Sequence, residues 1–198
     1  MPVYDNKFIF LHIPKTGGTI IEKSLKKDYK ESYYGVDRSV VGVQPKQHLP
    51  FDKLISNFDK KNVFSFTFVR NPFDRILSSY LNYPHQDKMP DFDKYIDMVK
   101  NVVENKLYLT QGFIGLNDIS HFIPMTIMIG NNELDFIGRF ENFDNDIKKL
   151  HEISGIKNID KIKIKKSNEN YQTFYSERNK KIVSELYADD LKKFDYTF

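Results

Sequence analysis

The chain has 198 residues, 40% of them apolar and including 17 Phe and 12 Tyr, which allows one compact domain over residues 1–198 with a ring-rich core and leaves no room for a second. The absence of cysteine excludes disulfides, thiolate nucleophiles and Cys-based zinc sites, and suits a reducing, cytoplasmic setting. A net charge of +3 is a small basic excess for wrapping a nucleic-acid backbone, and no stretch reaches the ~18 apolar residues of a membrane span, so neither nucleic acid nor membrane is an expected partner.

In chain order, the apolar run Phe8–Ile13 is too short for a signal-peptide core and predicts a buried strand. Pro14–Gly18 predicts a turn. Thr19–Lys27 predicts a helix whose inner face is Ile20, Ile21, Ser24 and Leu25. Val40–Val43 suggests a short strand and Phe51–Phe58 a short helix. Val63–Val69 is continuously apolar and β-branched, as in a strand covered on both faces. Asn71-Pro72 then opens a helix: Asn caps, Pro suits the first turn, and Asp74 complements the dipole. Its buried stripe is Phe73, Ile76, Leu77, Tyr80 and Leu81, with Ser78 off the stripe. Residues 91–105 read as a helix, Phe136–Phe140 as a strand, Phe143–Ser154 as a helix ending at Gly155, and Ser176–Lys193 as a last helix. This alternation predicts a P-loop-like, three-layer α/β fold with a central parallel sheet flanked by helices.

Two segments carry chemistry. Pro14-Lys15-Thr16-Gly17-Gly18-Thr19 lies between a strand and a helix. There the glycines permit close backbone approach, the turn and helix N–H groups face an anion, Lys15 adds a full charge, and Thr16 and Thr19 add hydroxyls. The lysine precedes the glycines, so this is not a Walker A motif, which disfavours a P-loop kinase. The second segment, Val69-Arg70-Asn71-Pro72-Phe73-Asp74-Arg75, ends the second strong strand. In open α/β sheets ligands bind at strand carboxyl ends, so Arg70 belongs on the same rim as Lys15. Its planar fork suits a phosphate monoester, and Ser78, two helical turns on, can donate to the same group. Arg75 reads as structural.

Together, Phe10 to Thr19 and Phe68 to Tyr80 resemble the 5′-phosphosulfate loop and the 3′-phosphate motif of sulfotransferases that use 3′-phosphoadenosine 5′-phosphosulfate (PAPS). Ile137-Gly138-Arg139-Phe140-Glu141-Asn142-Phe143 and the tail Ile182 to Leu191, Phe194 and Tyr196 are similar to late segments of the carbohydrate branch, which includes the heparan and dermatan 2-O-sulfotransferases. The resemblance implies sulfuryl transfer from PAPS to a hydroxyl, of a sugar or another small acceptor, with Lys15, Thr16, Gly17, Gly18, Thr19, Arg70 and Ser78 holding the donor. Lys15 would also serve the leaving bridging oxygen. It places the catalytic base at His48, which follows Gln44-Pro45-Lys46-Gln47; Glu22 and Glu141 are the competitors, since other branches use glutamate. No metal is required, and no ligand cluster is legible. Family members often close a basic loop over the 3′-phosphate, for which Lys166 or Ser167 would serve; a lysine-guarded edge strand over Lys161–Ser167 is the alternative. A nucleotide kinase-like enzyme and an inactive nucleotide-binding scaffold are the competing readings, and neither acceptor nor oligomeric state can be read from the residues.

Overall fold

The computed structural model describes residues 3–32, 48, 50, 51, 62–82, 90–110, 113, 114, 117–161, 164 and 170–198. The elements are β1 (Val3–Tyr4), β2 (Phe8–Leu11), α1 (Gly18–Asp28), β3 (Glu31–Ser32), β4 (Phe64–Val69), α2 (Pro72–Leu81), α3 (Phe92–Glu104), β5 (Phe113–Ile114), β6 (Asn117–Asp118), α4 (Met125–Ile129), β7 (Phe136–Arg139), α5 (Phe143–Ser154), α6 (Glu177–Leu186) and α7 (Ala188–Lys193). Single 3₁₀ turns connect several of them, notably Ile119–Phe122 and Phe140–Asn142.

The main sheet has the order β3-β1-β2-β4-β7. β2, β4 and β7 run parallel, so their carboxyl ends share one rim. The wholly parallel sheet expected from the sequence is corrected to a mixed one, because β1 pairs antiparallel with β2 and β3. The cause is a tight hairpin: Asp5 and Asn6 take φ of 50° and 56°, and Lys7 N–H donates to Tyr4 C=O at 2.9 Å. Asp and Asn tolerate this left-handed pair, which matches the twist of the flanking strands.

Alternation along the strands sends rings to one face and aliphatic chains to the other. Phe8, Phe10, Phe66 and Phe68 join Ile21 and Leu25 of α1 and Phe143, Ile147 and Leu150 of α5. Ile9, Leu11 and Val69 join Phe73, Ile76, Leu77 and Tyr80 of α2, Ile96 and Val99 of α3, Met128 of α4 and Val183 of α6. Both faces of the sheet are therefore buried, as its apolar strands require.

The helix expected over Thr19–Lys27 begins one residue earlier, and Ile20, assigned to its inner face, is instead 40% exposed. The last helix is interrupted at Tyr187, whose fully buried ring donates its hydroxyl to Phe122 C=O at 2.7 Å. Val40–Val43 lies outside the described residues, and of Phe51–Phe58 only Phe51 is described; it is buried. No helix among the described residues is long and apolar enough to cross a membrane.

Candidate active site

A cavity of about 600 Å³ opens where β2 and β4 end, lined by His12, Lys15, Gly17, Gly18, Thr19, His48, Arg70, Ser78, His121 and Phe140, with Ile20, Leu77, Leu81 and Ile164 as apolar walls. Strand direction brings these residues together. β2 delivers the turn at Lys15 and β4 delivers Arg70 to adjacent points on one rim, and α1 and α2 leave that rim with their N-terminal N–H groups facing it.

The turn after β2 is shaped by its own residues. Lys15 and Gly17 take left-handed φ of 68° and 87°. Thr16 is fully buried, and its hydroxyl donates to Ile13 C=O at 2.7 Å, so it braces the turn and is not among the cavity-lining residues. Gly18 opens α1, where a Cβ would sit 2.1 Å from the His12 ring. The missing side chain is what allows that ring to lie against the turn.

Arg70 is buried. Its Nε donates to Asp74 at 2.7 Å, its Nη1 donates to Lys15 C=O at 2.8 Å, and its guanidinium carbon lies 4.1 Å from the centre of the Phe140 ring. Carboxylate, carbonyl and ring hold the fork in one orientation while it faces the cavity. Burial and the Arg70 charge together push the Lys15 ammonium down to about 8. A site that makes its own lysine costly to charge is electropositive and is compensated by an anion.

Three histidines form a chain along the cavity wall, with ring centres 5.0 Å apart for His12 and His48 and 5.5 Å for His48 and His121. His12 Nδ1 donates to Glu22 at 2.9 Å. Burial would raise the Glu22 carboxyl, but the His12 hydrogen bond together with the charges of His12 and Lys26 outweighs it and holds it low. His48 Nδ1 lies 2.8 Å from Ser120 Oγ and 3.3 Å from Asp118 Oδ2. Ser120 Oγ spends its own hydrogen on Asp118 Oδ1 at 2.5 Å, so it accepts from His48 Nδ1–H. Each bond has one consistent donor, and the tautomer left to His48 has its lone pair on Nε2. Burial lowers the His48 pKa and keeps the ring neutral. His121 bonds Ser79 through Nδ1 at 3.1 Å, and its Nε2 lies 3.8 Å from Asp118 Oδ2.

Of the residues singled out in the sequence, Lys15, Gly17, Gly18, Thr19, Arg70, Ser78 and His48 line the cavity. Glu141 does not; it accepts from Asn71 N–H at 2.6 Å and from Tyr196 hydroxyl at 2.9 Å. Glu22 is occupied by His12. Lys166 and Ser167 lie outside the described residues; Lys161 ends a 3₁₀ turn and Ile164 lines the cavity. Sequence reasoning missed Asp118, Ser120 and His121, which reach His48 across some 70 residues of chain. The only local signal was the grouping of Asp, Ser and His within four positions, which indicates no partner.

No curated protein matches the chain. The model of the sulfotransferase family matches residues 3–197, nearly the whole length, and covers both anion-facing turns and the histidine wall. The chain belongs to the sulfotransferase family.

Proposed function

We propose that the protein transfers the sulfuryl group of PAPS to an acceptor hydroxyl, of a carbohydrate, with His48 as general base. The observation that carries this reading is the meeting of Lys15, Arg70 and Ser78 with a neutral, carboxylate-oriented histidine on one cavity. Arg70 and Ser78 would hold the 3′-phosphate, and the Gly17-Gly18-Thr19 turn with Lys15 the 5′-phosphosulfate. His48 Nε2 takes the proton of the acceptor hydroxyl as its oxygen attacks sulfur in line. The bond from sulfur to the bridging oxygen breaks, and adenosine 3′,5′-bisphosphate leaves with Lys15 offsetting its growing charge. Asp118 and Ser120 act through His48: they keep its proton on Nδ1 and its lone pair toward the acceptor. The carbohydrate acceptor is supported by the resemblance of residues 137–143 and of the tail to the carbohydrate branch.

Calorimetric titration of adenosine 3′,5′-bisphosphate without Mg²⁺, against ATP and adenosine 5′-monophosphate, tests the donor. Binding that needs the 3′-phosphate and weakens on Arg70→Ala is expected; a preference for ATP with Mg²⁺ would overturn it. His48→Ala should lose turnover by about 10²–10⁴-fold and keep the bisphosphate affinity. Asp118→Asn should lower kcat more than it raises KM, because it disturbs the tautomer of the base. Near-normal turnover of His48→Ala would remove His48 from the mechanism.

A further inference from the structure

The histidine wall contains a constellation with a capacity beyond sulfuryl transfer. His48, Asp118 and His121 each present one ligand atom, and the three atoms lie within 4.8 Å of one another. The His48 Nδ1 to Asp118 Oδ2 edge is 3.3 Å and the His121 Nε2 to Asp118 Oδ2 edge is 3.8 Å. A tetrahedral zinc with bonds of 2.0–2.1 Å has ligand–ligand edges of about 3.3 Å, so one edge already matches and the others need a modest inward shift.

On His121 and Asp118 the atoms that would not bind metal are already tied. His121 Nδ1 bonds Ser79 Oγ, which leaves Nε2 directed at Asp118. Asp118 Oδ1 accepts from Ser120 N–H at 3.0 Å and from Ser120 Oγ, which leaves Oδ2 toward both histidines. Such outer hydrogen bonds orient metal ligands. Asp118 and His121 lie three residues apart at one 3₁₀ turn, and Arg75 fixes that turn by donating to His121 C=O and Ile123 C=O. His48 and His121 both line the cavity, so a fourth coordination position would face it.

We infer that His48, Asp118 and His121 form an inhibitory site for a divalent transition-metal ion of the zinc class. The ion displaces the proton from His48 Nδ1 into solvent and takes that nitrogen as ligand. Nε2 in turn takes up a proton from solvent, so the neutral ring carries its one proton on the nitrogen that must accept from the acceptor hydroxyl, with no net proton released. Metal occupancy and base catalysis exclude each other because they require opposite tautomers of one ring. The regulatory part of this inference rests on His48 as base; the metal site does not. Lys15 and Arg75 lie close enough to act on His121 electrostatically, so they oppose a cation and point to a reversible site rather than a permanently loaded one.

The test titrates Zn²⁺ into the full chain against a chromophoric chelator, for wild type, His121→Ala, His121→Gln and Asp118→Asn, with circular dichroism melts to verify folding. One zinc per chain is expected, weakened by at least ~10-fold in each folded variant. Zinc X-ray absorption should report two imidazole nitrogens and one carboxylate oxygen. Equal affinity in wild type and a folded variant, or a shell without two imidazoles, would overturn the site. In turnover assays zinc should lower wild-type rates reversibly, and the residual turnover of His121→Ala should resist it; equal inhibition of both would overturn the inhibitory role. The bisphosphate titration is read separately. Zinc binding without bisphosphate binding would sink the donor assignment and leave the metal site standing, and the reverse result would sink the metal site alone.

Discussion

Lys15 and Gly18 show how single positions set the character of the rim. With its ammonium lowered to about 8 by burial and by Arg70, Lys15 is cationic in the free protein below that pH and increasingly neutral above it. A bisphosphate favours the cationic form, so above about pH 8 binding must take up a proton. Affinity should be flat below pH 8 and fall by up to about tenfold per unit above it; Lys15→Ala should flatten the profile, as calorimetry across pH 7–10 would reveal. Gly18→Ala puts a Cβ 2.1 Å from a ring stacked on Phe10 and bonded to Glu22, so the ring has little room to retreat. A loss of about 1–3 kcal/mol in urea denaturation is expected, together with weaker bisphosphate binding. At this scale the two anion-facing turns were legible because their chemistry is contiguous in sequence. Thr16 was less so: its residue type suits a ligand, but only the fold reveals that its hydroxyl is spent on Ile13.

Among the elements, α2 does the most to assemble the site. Phe73, Ile76, Leu77 and Tyr80 of its apolar stripe anchor it to the core, whereas Leu81, expected on that stripe, is exposed; its first turn continues from Arg70, Ser78 faces the cavity, and Ser79 reaches His121. Arg75, fully buried, ties α2 to the 3₁₀ turn of His121 and shares its surroundings with Asp190, which caps α4 by accepting from Met125 N–H and Thr126 N–H at 2.8 Å each. Arg75→Met keeps the bulk but removes the donors and the charge. It should destabilise the fold by about 3 kcal/mol and reduce turnover more than bisphosphate affinity, measured by denaturation and calorimetry. The elements with strong periodicity, such as α2 and the helix over Phe143–Ser154, appear where the sequence places them. Two-residue strands such as β1 and β3 have no periodicity to detect, and the hairpin signal, Asp5-Asn6, follows a segment too short to read as a strand. The break at Tyr187 was hidden for another reason: its ring continues the helical stripe, yet its hydroxyl is drawn to Phe122.

Across the whole molecule, the far end of the chain returns to the strand–helix junction that carries Arg70. Asn71 Nδ2 donates to Thr197 C=O at 2.7 Å, Tyr196 donates to Glu141, and Phe198 packs against Phe73, Tyr171 and Tyr175. A chain truncated after Asp195 should melt several degrees lower and bind the bisphosphate less tightly, because the Asn71 cap and Glu141 each lose a partner; unchanged calorimetric and thermal profiles would contradict this. The sequence by itself determined the alternation of strands and helices, the two basic turns that follow β2 and β4, and the family. These depend on local periodicity, turn chemistry and contiguous motifs. Only the tertiary structure decided the antiparallel edge, the assignment of Thr16 and Glu141 to bracing rather than lining, and the meeting of His48 with Asp118, Ser120 and His121. Side chains distant in sequence share a hydrogen bond only when packing brings their elements together, and nothing in local spacing encodes that encounter.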